Sequence, residues 1–168
     1  MKGGCFGIVL GLALAGSSAA AQDLQFSMGS TLACLEEVID GDRLQDCIGA
    51  SAEFCMEETE GGFSTIGMSG CMDRELSYWD SRLNDAYARL RRAEQADDEM
   101  GRDLPGDVNK ANALRDMQRA WIIYRDATCD YERSQWGGGT GGGPATVGCL
   151  LRLTGEQALY LESVRMDY

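Results

Sequence analysis

The residues with the most latent chemistry in this 168-residue chain are six of its seven cysteines, Cys34, Cys47, Cys55, Cys71, Cys129 and Cys149, the seventh, Cys5, being expected to leave with an N-terminal signal peptide. As free thiols they would be nucleophiles or metal ligands. As an even set in an oxidising compartment they are disulfide partners. Histidine is absent, which removes the commonest general base and the histidine-dependent serine and cysteine nucleophiles together. With no histidine and no C-x-x-C knuckle, a zinc site is not expected. Bridges between sequence neighbours are the expected arrangement, Cys34–Cys47, Cys55–Cys71 and Cys129–Cys149, although spacing alone does not choose among the pairings.

Carboxylates are the remaining catalytic candidates. The chain has 27 Asp and Glu, and a glycosidase needs two of them at a fixed separation across a cleft. No pair is singled out by spacing, so no catalytic residue and no cofactor are nominated, and the chain reads as a binder rather than an enzyme. The acids of Asp40-Gly41-Asp42 and Asp46 are spaced as in a calcium loop, but Ser51 stands where the bidentate glutamate belongs. They are better explained as helix caps. In WGGGTGGGP, six of the seven residues between Trp136 and Pro144 are glycine. A phosphate cradle needs a lysine that this stretch lacks, so it is expected to be a flexible linker.

Two polar constellations sit at helical spacing. Asp80, Asn84 and Tyr87 fall at i, i+4 and i+7. Gln118, Trp121, Arg125 and Asp126 form the second, with Cys129 one turn on. If the segments carrying them pack as a hairpin, Arg125 is placed to pair bidentately with Asp80, and Gln118 to satisfy Asn84. Such a network fixes helix register; the alternative is a ligand or partner surface.

The elements that must position these groups are helices, because apolar residues recur at steps of three and four and strict alternation is rare. Met72, Leu76, Trp79, Leu83, Ala86 or Tyr87, Leu90 and Ala93 predict a long amphipathic helix over about 69–100. Val108, Ala111, Leu114, Met117, Trp121, Tyr124 and Thr128 predict a second, capped by Asp107. The short link between them favours an antiparallel hairpin. Two short helices are expected first, one capped by Ser30 or Thr31 and running to about Ile39, one capped by Asp42 and running towards Glu57. A last helix is expected from Thr146, with a break at Thr154-Gly155, where Thr154-x-x-Gln157 has a capping-box pattern. The fold class is therefore all-α, a small disulfide-stapled bundle built on a long helical hairpin.

The chain begins Met1-Lys2, continues through the apolar CFGIVLGLALA, and reaches Ala19-Ala20-Ala21 before its first acid, Asp23. That is the grammar of a signal peptide over 1–21, cleaved before Gln22. Glutamine at the new terminus argues against a lipid anchor, and no membrane insertion is expected. Cleavage removes Lys2 and no acid, moving the net charge from −12 to −13. That balance excludes nucleic acid as a partner and favours cationic ones. A periplasmic or secreted location follows.

The segments W-D-S-R-L-N-D-A-Y-A-R-L at 79–90 and M-Q-R-A-W-I-I-Y-R-D-A-T-C at 117–129 resemble the LprI-type lysozyme-inhibitor family. Its pattern has a cysteine, D-x-x-L-N-x-x-Y-x-x-L, A-Q-R-x-W-x-x-Y-R-D-x-x-C, a Gly-rich loop, a further cysteine and a closing helix. Cys71, Asp80, Leu83, Asn84, Tyr87, Leu90, Gln118, Arg119, Trp121, Tyr124, Arg125, Asp126, Cys129 and Cys149 fit, over about 55–165. Met117 replaces the usual alanine, and Gln157 stands where an arginine is common. The resemblance implies a helical domain over 55–168 behind an N-terminal extension over 22–54, in which Cys34 and Cys47 lie. It also implies inhibition of lysozyme by occupying or covering the enzyme's cleft, lysozymes being typically basic. The alternative is a periplasmic structural or interaction module for another cationic partner. Candidate partner-binding acids are Asp97, Asp98, Glu99 and Asp103, with Asp107, in the loop between the long helices, or Glu57, Glu58 and Glu60. Three bridges predict that the unreduced mature protein, starting at Gln22, weighs six hydrogens less than its reduced form. Intact-mass spectrometry with and without reductant checks this, and a free-thiol mass would refute it.

Overall fold

The computed structural model describes residues 23–38, 41–101 and 109–164. The expected signal peptide, Asp103 and Asp107 lie outside them, as do Asp40 and the Asp42 side chain. The elements are α1 (Gly29–Glu37), a 3₁₀ segment (Gly41–Cys47), α2 (Ala50–Glu58), α3 (Thr65–Met100), α4 (Lys110–Ser134) and α5 (Gly142–Ser163). There is no strand among the described residues, and the class is all-α.

The second short helix expected over about 42–57 is two pieces. Gly49 takes φ +101°, a left-handed conformation open to glycine, and it separates the 3₁₀ segment from α2. The long helix starts earlier than its apolar stripe implied. Ser64 caps it by accepting a hydrogen bond from the Gly67 N–H at 3.1 Å. At 36 residues, α3 is about 54 Å long.

α5 differs most from expectation. It runs unbroken through Thr154-Gly155, and Thr154 is buried inside it rather than capping a new helix. Nor is the glycine-rich stretch a flexible linker. It forms an ordered turn through positive-φ Gly137 and Gly138, and its last glycines are the first turn of α5. The Trp136 ring lies so close to Gly141 that an added Cβ would sit 2.3 Å from it. Glycine serves there as a seat for an aromatic ring.

α3 is the central element, and its most extensive packing is against α5 rather than α4. Gly148 faces Met72 and Glu162 pairs with Arg82, so α5 runs parallel to α3. The Cys129–Cys149 bridge and the Gln118–Gln157 hydrogen bond make α4 antiparallel to α5. The hairpin is thus two arms of a three-helix bundle. Its core holds Trp79, Leu83, Ala86 and Leu90 of α3, Leu114 of α4, and Leu151, Ala158 and Leu161 of α5. Bridges join Cys34 to Cys47, Cys55 to Cys71 and Cys129 to Cys149. Each closes a loop of 13 to 20 residues, on the order of 3 kcal/mol apiece in the chain-entropy account.

A fully buried carboxylate, Glu75 on α3, organises the N-terminal third. Its Oε1 accepts hydrogen bonds from the Thr31 hydroxyl at 2.9 Å, the Gly49 N–H at 2.8 Å and the Trp79 indole N–H at 3.0 Å. Its Oε2 accepts from the Ala52 N–H at 2.7 Å. Gly49 and Ala52 are at the start of α2, where unpaired N–H groups and the helix dipole both favour an anion. Thr31 and Ser51 exchange two further bonds, each backbone N–H donating to the other's hydroxyl. Residues ahead of position 55 are in this way tied directly into α3.

In Glu75→Gln the amide can keep its oxygen towards the three donors at Oε1 only by turning its NH₂ on the Ala52 N–H. One buried donor is then stranded, which costs roughly 1–3 kcal/mol; Glu75→Ala strands four and costs more. Urea unfolding followed by far-UV circular dichroism reads both, and an unchanged midpoint for Glu75→Ala would refute the assignment.

Candidate functional site

The two polar constellations do not meet. Asp80 and Asn84 are exposed and satisfy each other, the Asn84 amide donating to Asp80 at 3.0 Å. Tyr87 is half-buried against the core. Arg125 does not reach Asp80. Its guanidinium lies 5.0 Å from the Trp121 ring centroid and donates from Nε and Nη2 to the neighbouring Asp126, at 2.9 and 2.8 Å. Gln118 does not serve Asn84 either. It accepts a bond from Gln157 of α5 at 2.9 Å. The reason is helical phase. Asp80 and Asn84 sit beside buried Trp79 and Leu83 but on the solvent side of α3, whereas Gln118 shares the buried face of α4 with Ala111, Leu114 and Cys129 and meets α5.

The cross-helix ion pair is made by residues that sequence reasoning passed over. Arg82 binds Glu162 through Nε and Nη2, both at 2.8 Å, donates to the Tyr78 hydroxyl at 3.1 Å, and lies 5.1 Å from the Trp79 centroid. The Glu162 bonds raise the Arg82 pKa above its ordinary value. Nothing in the spacing of positions 82 and 162 announces the pair. Glu75 did carry a signal, one helical turn before Trp79 on the buried stripe.

Three of the acids expected from sequence as partner contacts, Asp97, Asp98 and Glu99, have partners within the chain. Asp98 accepts hydrogen bonds from the Lys110 and Ala111 N–H groups, at 2.8 and 3.0 Å, and so caps α4 from the end of α3. Asn109 adds a second cap by accepting from the Asn112 N–H, at the place expected for Asp107. Asp97 pairs with the Lys110 ammonium at 3.4 Å. Glu99 is also engaged.

Open surfaces among the described residues include two of note. One is a cleft of about 620 Å³ between the 3₁₀ segment, α2 and α5. Its lining includes Ile48, Met56, Met72 and Leu151, with Asp46, Glu53 and Glu156 among its polar residues and Phe63 exposed at its edge. Arg152 also lines it, but pairs with Glu132 and Glu156. The other is the outer face of α4. Tyr124, expected on the core stripe, is 59% exposed there, with Ile123 at 71% and Tyr131 at 66%. At its N-terminal end Asp116 is held below the usual carboxylate range, chiefly by the hydrogen bond from Arg115 at 3.0 Å.

Among the described residues, no group of three or more His, Cys, Asp or Glu is placed to hold a metal, and no helix is long and apolar enough to cross a membrane. What the structure defines is a disulfide-stapled helical bundle. The chain matches the family described as lysozyme inhibitor LprI over residues 55–161, and it belongs to that family. It is 29% identical over 119 residues to an uncharacterized 17.7 kDa protein in the puhA 5′ region of Rhodobacter capsulatus, covering 70% of this chain and 73% of that one. It is 32% identical over 106 residues to an uncharacterized protein of Rhizobium meliloti (strain 1021), covering 60% and 73%. No solved structure matches.

Asp98→Ala is expected to lower stability by about 1 kcal/mol through loss of the α4 cap. Denaturant unfolding measures it; a variant as stable as the parent would refute the capping role.

Proposed function

We propose that this protein is an exported inhibitor of lysozyme that occupies or covers the enzyme's cleft. The observation that carries the reading is the family match over 55–161, which takes in nearly all of α3, α4 and α5 and two of the three bridges. The disulfides suit an extracytoplasmic location. The net charge of −12 supplies long-range attraction towards a basic enzyme, raising the encounter rate without setting specificity. Specificity then has to come from a contact surface of fixed shape, which the bundle's cross-helix bonds and bridges provide.

The test is lysis of a cell-wall substrate by a panel of lysozymes at rising concentrations of the purified protein. Dose-dependent inhibition is expected, weaker at high ionic strength because screening shortens the reach of the charge. No inhibition of any lysozyme class at micromolar protein would overturn the reading. In that event a pull-down from envelope extract that returns one consistent cationic partner would favour an interaction module instead.

A further inference from the structure

We infer that the outer face of α4 is the surface that enters the enzyme's cleft, with Ile123, Tyr124 and Tyr131 as apolar anchors and Arg119 as the cation that meets cleft carboxylates. This rests on the lysozyme reading and adds the site to it.

Among the described residues, nothing covers the outer side of α4, which carries an exposed apolar strip flanked by Asp116 and Asp130. α4 packs on the bundle through Ala111, Leu114, Gln118 and Cys129, which leaves the opposite side outward. There Ala120, Ile123, Tyr124, Ala127 and Tyr131 are all exposed. Steps of three and four put these five side chains in one strip, about 16 Å long at helical rise. Tyrosine is enriched among residues that dominate binding energy, since it offers a large rigid contact area and a polar tip.

The strip is held still before any partner arrives. Cys129 is bolted to α5, Gln118 is bonded to Gln157, and Arg125 stacks on Trp121 while pairing with Asp126. Ordering costs on association are correspondingly small. Shape distinguishes this face from the cleft beside α2, because a concave surface cannot enter an enzyme's groove and a helical ridge can.

Charge selects the occupant. Two copies of a −12 chain repel each other, whereas a basic enzyme is attracted. Inside a glycosidase groove the local sign reverses, since two carboxylates flank the scissile bond, and an inserting ridge needs a cation. Arg119, one turn before Ile123, has a side chain 70% exposed, and its nearest acid, Asp116, is 4.0 Å away and already held by Arg115 at 3.0 Å. Its guanidinium is therefore available for a bidentate bond to a carboxylate.

The experiment uses the full mature chain and an egg-white (c-type) lysozyme in a lysis assay. It compares the parent with Arg119→Glu, with the triple variant Ile123→Ser, Tyr124→Ala, Tyr131→Ala, and with Phe63→Ala at the edge of the other cleft. Every altered residue is exposed, and circular dichroism verifies the folds. The triple variant and Arg119→Glu should each need about tenfold more protein for half-inhibition, with Phe63→Ala within about twofold of the parent. If the parent inhibits and both α4 variants inhibit equally well, the α4 assignment falls while the inhibitor reading stands. Loss confined to Phe63→Ala would likewise overturn it. Where the parent inhibits a different lysozyme class, the same variants are compared against that enzyme; a parent that inhibits no class removes the inhibitor reading, and the assignment with it. A parent dimer in sedimentation that the triple variant dissolves would make the face a self-association surface and overturn the assignment.

Discussion

Glu75 is the constraint on which the N-terminal half depends. A carboxylate with no exposed surface is tolerated because four donors converge on it, and those donors come from α1, from the turn before α2, from α2 itself and from α3. One side chain thus substitutes for the hydration that the α2 N-terminus would otherwise need, and it does so on the same helix face as Trp79. Because burial of an acid is favourable only when its hydrogen bonds are complete, the arrangement permits little sliding of α1 or α2 along α3. The Cys55–Cys71 bridge ties α2 to the same stretch of α3 one turn before Glu75, so a covalent and a polar constraint act on one junction.

At the other end of α3 the same logic is used with less burial. Asp98 caps α4 and Asp97 pairs with Lys110, while midway along α3 Arg82 with Glu162 locks the flank of α5. Of the acids expected as partner contacts on that end, Asp97 and Asp98 bind the start of α4, which brings the exposed apolar side chains of α4 to the foreground. The negative charge is a property of the whole surface and acts at a distance, while the contact proposed for α4 rests on neutral side chains and one arginine.

Much of the fold was legible because long amphipathic helices write their period into the sequence. Trp79, Leu83, Ala86 and Leu90 fall on the buried stripe of α3, and Ala111 and Leu114 on that of α4. What the stripe did not disclose was the partner. Periodicity tells which side of a helix is covered, not by which helix, so Gln118 was matched to α3 when it meets α5. Short-range signals were ambiguous for a related reason. Thr154-x-x-Gln157 has the pattern of a cap, yet both residues are used by tertiary packing or pairing. Tyr124 has the spacing of a core residue but lies past the edge of the covered arc. Arg82 and Glu162, 80 positions apart, meet only because α5 returns parallel to α3, and no local pattern encodes that return.

The three bridges also have an order. Each cysteine pairs with the next one along the chain, and no loop contains or crosses another. In a chain that enters an oxidising compartment amino end first, every pair is complete before the following pair emerges. Sequential oxidation of adjacent thiols would then yield the native set directly, with little need for shuffling by a disulfide isomerase. The order of the bridges along the chain is the order in which such an entry would expose them.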